Sequence, residues 1–203
     1  SMSWARAAGI STPEFSLRNV SEFDEIPEGM PTGDGTAFVI ERFDRNSVGR
    51  IHIEDFGQIL DRPPGQSQYH GSYEEIAEVI EEHSLTVEAD LKQLWRRMLF
   101  SALIRNTDDH LRNHGFLHAG GDAWRLSPAF DVNPNIDKAE HVLNIDDTDA
   151  RPSLETVLTT AVFYGLSEER GKQIAEEVAT SVDGWEDAAR HAGIARGDVE
   201  LTA

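Results

Sequence analysis

Beyond residue 72 the apolar positions of this chain recur at helical spacing. Ser72–His83 forms one such stretch, and a longer one runs over about Val87–Arg105 with Leu91, Leu94, Trp95, Met98 and Leu99 on a single face. The run Leu99-Phe100-Ser101-Ala102-Leu103-Ile104 is apolar almost all round, which predicts a central, buried helix. The final third reads as three further helices, Ser153–Gly165, Ser167–Val182 and Trp185–Ala192, with Ser153 and Ser167 as N-caps.

The first third is patterned differently. Residues 2–9 read as the end of a helix, with Trp4, Ala7 and Ala8 on one face and Gly9 closing it. Two extended segments follow, Glu14–Asn19 and Thr36–Phe43, separated by the turn-rich stretch Pro27–Gly35. Ala37-Phe38-Val39-Ile40 predicts a buried strand running into Glu41-Arg42-Phe43-Asp44-Arg45, which is either a strand end with exposed charges or a hinge-type segment. Arg50–Ile53 alternates as a short strand, Glu54–Leu60 reads as a brief helix, and 61–71 as a loop holding Pro63-Pro64-Gly65 and Gly71. The expected fold is α+β and predominantly α: a strand-containing region over 1–71 and a helical lobe over 72–203.

A length of 203 residues allows a real core in one domain or two closely packed subdomains. The balance of 18 basic and 37 acidic residues, a formal charge of -19, opposes direct nucleic-acid binding through phosphate contacts. A nucleotide site stays open, because magnesium and local donors offset an acidic background. With no cysteine, disulfides and thiolate metal sites are excluded. No apolar run reaches the length of a membrane span and no signal peptide opens the chain, so the expected location is the cytoplasm. The chain starts in mid-helix, which suggests the later part of a longer protein.

The chemistry concentrates after the long helix. Arg105-Asn106-Thr107-Asp108-Asp109-His110-Leu111-Arg112-Asn113 presents an Asp and, five residues on, an Asn. A short hairpin around Gly120-Gly121 follows, and then a second acid, Asp131. Phosphoryl transfer of the protein-kinase type needs that order. One carboxylate orients and deprotonates the attacking hydroxyl; an amide oxygen and another carboxylate hold magnesium against the phosphates. The letters differ from ordinary kinases, with Asn106-Thr107-Asp108 for His-Arg-Asp and Asp131-Val132-Asn133 for Asp-Phe-Gly.

Plainer readings compete. An Asp after a buried helix often caps a turn, so Asp108 gains its catalytic reading from Asn113, the hairpin and Asp131 taken together. Asp109 is expected to be a solvated or capping neighbour, and His110 a structural hydrogen-bonding group of the loop. His110, His114 and His118 would share one face of a continuous helix and bind zinc with an Asp, as in a metal-dependent phosphohydrolase. Gly115 and Phe116-Leu117 argue that the backbone is already a strand there, where four residues cover about 13 Å, too far for one metal.

These residues resemble the HipA family of bacterial serine/threonine kinases, in its C-terminal, mostly helical part. The matching pieces run in family order over residues 8–134: Ala8-Gly9-Ile10 to Pro13, Val39 to Arg45, Glu54-Asp55-Phe56 with Gln58, Ser72-Tyr73-Glu74, Asn106 to His110 with Asn113, and Leu126 to Asp131. The resemblance implies ATP- and magnesium-dependent phosphorylation of a protein serine or threonine by a kinase-like lobe. It places Glu41 and Phe43 against the adenine, Asp108 as the catalytic base, Asn113 and Asp131 on magnesium, and His110 on the loop histidine. It also implies a toxin paired with a DNA-binding antitoxin. The chain departs from the pattern in three ways. It has no Gly-rich phosphate loop before residue 36, its first lysine is Lys92, and Gln68 stands where a lysine is expected before Tyr69. The chain alone is therefore expected to be inactive. A partner-binding module without catalysis is the alternative from another class.

Overall fold

The computed structural model describes residues 1–26, 35–62, 71–135, 142–145 and 153–184. Most of the expected loops at 27–35 and 61–71, with Gln68, lie outside the described residues, as does the predicted helix Trp185–Ala192. The order is α1 (Met2–Ala7), β1 (Phe15–Asn19), β2 (Thr36–Ile40), β3 (Ile53–Asp55), α2 (Phe56–Ile59), α3 (Tyr73–His83), α4 (Val87–Leu103), β4 (Gly115–Gly120), β5 (Ala123–Leu126), α5 (Leu154–Thr160) and α6 (Glu168–Asp183). This is the α+β, mainly helical fold that the patterning predicts.

The long helix α4 is the hub. Leu94, Trp95 and Leu99 are fully buried and pack into one core with Ile76 and Ile80 of α3, Val157 of α5, and Ile174 and Val178 of α6. Trp95 Nε1 donates to Thr160 Oγ1 at 3.2 Å, so the indole fills the core without leaving its donor unpaired. Helix α3 starts at a capping box: Ser72 Oγ accepts from Glu75 N, and the Glu75 side chain accepts from Ser72 N. The polar residues of α4 are tied to particular neighbours. Arg96 donates to Ala8 O and Glu177 Oε2, and Asp90 Oδ2 accepts from Ser84 Oγ and from Leu126 N of β5.

Two sheets form. In the three-stranded one, β4 lies between β3 and β5 and is antiparallel to both, with Ile53 opposite Leu117 and Phe116 opposite Leu126. The expected strand at Arg50–Ile53 thus lies later, at Ile53–Asp55, where the ladder with β4 is formed, with His118 N of β4 also donating to His52 O just before it. Asp55 both ends that strand and caps α2 through a capping box with Gln58, which delays the helix start to Phe56. Gly115, opposite Asp55, sits where a Cβ would lie 2.8 Å from Ile53 Cδ1 and 3.0 Å from Ser127 Oγ.

The other sheet is the pair β1–β2, with Phe15 opposite Ile40. Here the expectation of a buried strand at Ala37–Ile40 is overturned. The strand exists, but Phe38 is 51% exposed and its neighbours alternate between exposed and half-buried. A two-stranded ribbon can cover its faces only where something lies on it. Phe38 has the Phe15 ring beside it and Leu17, itself 59% exposed, opposite it. The predicted helix at Ser153–Gly165 is helical only to Thr160. It then tightens into a 3-10 turn at Ala161–Tyr164, which Gly165 closes at φ 68.

Candidate functional site

Helix α4 ends at Leu103, and Arg105 turns the chain at φ 55. Hydrogen bonds from the main chain and from one hydroxyl then stitch the loop in place. Asn106 N donates to Ser101 O, Thr107 Oγ1 donates to Asn135 O at 2.8 Å, and Val142 N donates to Thr107 O. A 3-10 turn at Leu111–Asn113 follows, with Asn113 N donating to His110 O, before β4 begins. The hairpin β4–β5 returns the chain beside this loop. Ser127, Pro128 and Ala129 lead on to Asp131, which adopts φ 55, a left-handed conformation uncommon for a residue with a side chain.

These turns bring Asp108, Asn113 and Asp131 to the walls of one polar cleft of about 280 Å³, together with Asn106, Asn133, Pro134 and Asn135. Asp108 and Asp131 are exposed; Asn113 is buried beneath them. Asn113 Nδ2 faces the main-chain oxygen of Asp108 at 3.5 Å, so its amide oxygen is directed elsewhere. Asn133 Nδ2 donates to Asp131 Oδ1 at 3.1 Å and steadies that carboxylate. Two carboxylates with several Asn side chains around them give an oxygen-rich lining of the kind that suits magnesium.

Asp109 corrects an expectation. It is 4% exposed rather than solvated, and points away from the cleft into the protein. Its Oδ2 accepts from Tyr73 Oη at 2.6 Å and from Ser101 Oγ at 3.1 Å. His114 Nε2 lies 3.1 Å from Oδ1, a close charge contact without the alignment of a good hydrogen bond. Burial by itself raises the carboxyl pKa. The charge and contact of His114 and the hydroxyl donors of Tyr73 and Ser101 outweigh that effect and hold it lowered, to about 2. The Arg97 guanidinium is buried nearby; burial lowers it to about 10 against the opposing pull of Asp109 and Asp90. The Tyr73 phenol is pushed well above its usual value by burial and by the Asp109 charge.

The other expected positions fall around the cleft and not in it. Glu41 is exposed just past β2, its main-chain N donating to Glu14 O. Phe43 stacks on Phe130, the residue before Asp131. His110 is half-buried; its main chain carries the turn, while its ring Nδ1 meets no acceptor among the described residues. His114 is turned to Asp109, and His118 bonds Gly121 O from the strand, so the three histidines do not converge. Among the described residues no three His, Cys, Asp or Glu side chains could hold one metal ion. Asn133 and the partners of Asp109 were missed from sequence. A capping Asn two residues after an Asp is a readable signal, whereas Tyr73 and Asp109 are joined only by folding.

The HipA-like C-terminal domain profile matches residues 1–185, and the chain belongs to that family. Two relatives are provisionally named kinases: Y4dM of Sinorhizobium fredii (strain NBRC 101917 / NGR234), 36% identical over 66% of this chain and 32% of its own, and a Haemophilus influenzae protein, 32% identical over 47% and 30%. This chain spans about a third of the length of the curated relatives it matches. Its fold is that of HipA from Shewanella oneidensis MR-1, solved as a toxin–antitoxin complex with HipB and operator DNA. The TM-score is 0.68 at 18% identity, over 100% of this chain and 48% of that one. The fold also resembles the Helicobacter pylori proinflammatory kinase CtkA, with a TM-score of 0.52 at 13% identity over 91% and 80%. No described helix is long and apolar enough to cross a membrane.

Proposed function

We propose that this chain is the catalytic lobe of a HipA-like serine/threonine protein kinase. The observation that carries the reading is the meeting of Asp108, Asn113 and Asp131 in one polar cleft. Asp108, exposed at the rim, would orient the substrate hydroxyl and take its proton. Asn113 and Asp131 would hold magnesium, which when bound neutralises phosphate charge in the transfer. Asp131 is held in a left-handed backbone conformation and steadied by Asn133, so its carboxylate is set before any ligand arrives. Glu41 and Phe43 would flank the adenine of ATP, with Phe43 already ordered against Phe130.

The substrate class is a protein serine or threonine, and the toxin role with a DNA-binding antitoxin belongs to this proposal. Its support is the family and the shared fold with a HipA seen with HipB and DNA. The test is radiolabel transfer from ATP by a longer protein carrying a phosphate loop and lysine upstream, compared with its Asp108→Asn variant. Transfer that disappears in the variant supports the reading; transfer that persists assigns the base elsewhere. The 203-residue chain alone should not transfer label. Its sequence has no lysine before Lys92 to grip the phosphates, and its acidic cleft lies in a chain of charge -19.

A further inference from the structure

The Asp109 carboxylate takes no part in the chemistry above, yet it is buried and contacted from three sides. Its partners come from three elements: Tyr73 opens α3, Ser101 lies near the end of α4, and His114 leads into β4. All four residues are buried, and the Arg97 guanidinium of α4 is buried beside them. Desolvating an ionised carboxylate costs several kcal/mol, and packing alone does not call for one here. What these contacts do fix is the loop. Asp109 follows Asp108 directly, and His114 follows Asn113, so the Asp109–His114 contact closes residues 109–114, which carry Asn113 and begin next to Asp108. From Asp108 to Asn113 the described main-chain bonds are short-range turns, such as Asn113 N to His110 O, and only at His114, whose O accepts from Phe56 N of α2, does one reach another element.

We infer that Asp109 is a positioning residue. Its carboxylate anchors the loop from behind to α3, α4 and the start of β4, and so sets Asp108 and Asn113 facing Asp131 across the cleft. This inference rests on the reading of the cleft as a magnesium-dependent phosphoryl-transfer site.

The test uses manganese as the probe on the isotopically labelled chain, reading paramagnetic broadening of backbone resonances. In the wild type, Mn²⁺ should broaden the signals around Asp108, Asn113 and Asp131, and Asp131→Ala should abolish the effect. Tyr73→Phe, Ser101→Ala and Asp109→Asn should each need more Mn²⁺ than the wild type for the same broadening. Amide shifts of the α4–α6 core should stay at wild-type positions, which separates positioning from general loosening. If Asp109→Asn does not fold, Tyr73→Phe and Ser101→Ala decide. Wild-type broadening in those variants, with loss in Asp131→Ala, overturns the positioning role and leaves the metal reading intact. No broadening at the cleft of the wild type overturns the metal reading, and the positioning inference with it.

Discussion

Phe43 and Phe130 stack with ring centroids 5.6 Å apart and planes 29° from parallel. A segment just beyond β2 is thereby packed on the residue that precedes Asp131. The pair joins the strand-rich beginning of the chain to the cleft. An aromatic pair of this geometry contributes about 0.5–1.5 kcal/mol beyond its buried area. Phe43→Ala and Phe130→Ala should therefore be non-additive in a double-mutant cycle, with a coupling of about 1 kcal/mol in denaturant unfolding. Strict additivity would mean that the stack contributes nothing in solution.

Asp108 and Asp109 should part company on substitution. Asp108 is exposed, so Asp108→Asn should leave the stability of this chain within about 0.5 kcal/mol of wild type. In the longer protein the same change should reduce phosphate transfer by about 10²- to 10⁴-fold, the usual cost of losing a positioned base. Thermal unfolding and transfer rates measured on matched samples check both halves.

The buried acid sets an acid limit on the fold. Asp109 is lowered from 3.8 to about 2 in the folded chain. A depressed carboxyl stabilises fully above its unfolded pKa, and that contribution is lost as pH falls through the folded value. Its share, about 2 kcal/mol, should thus disappear between roughly pH 4 and pH 2. Unfolding free energies of the wild type should drop across that window. Asp109→Asn, less stable at neutral pH, should show a flatter profile there.

Gly115→Ala tests the closeness of β3 and β4 behind the cleft. The added methyl would meet Ile53 Cδ1 at 2.8 Å and the buried Ser127 Oγ at 3.0 Å. Overpacking of this kind costs about 1–3 kcal/mol. A stability equal to wild type in a chemical melt would show that Ile53 gives way freely.

Periodicity alone located the helices well. The apolar face of α4, the Ser153 and Ser167 caps and the β4–β5 hairpin each depend on neighbours within a few positions, so local spacing carries them. The order Asp108, Asn113, Asp131 was legible for the same reason, as was the resemblance to the HipA family. Local spacing failed where a partner decides the outcome. The Ala37–Ile40 run reads as buried because it is apolar, but burial needs a covering layer, and Phe38 is largely exposed. The start of β3 was set by its partner strand, not by its own alternation. The two adjacent acids show the division most plainly. Sequence singled out Asp108 by its spacing to Asn113 and left Asp109 as a solvated or capping neighbour. Only the docking of α3 and α4 brings Tyr73 and Ser101 to one of them, turning Asp109 inward and leaving Asp108 to face the cleft. Contacts between residues 36 apart in the chain have no signature in either neighbourhood, so the tertiary structure alone could assign them.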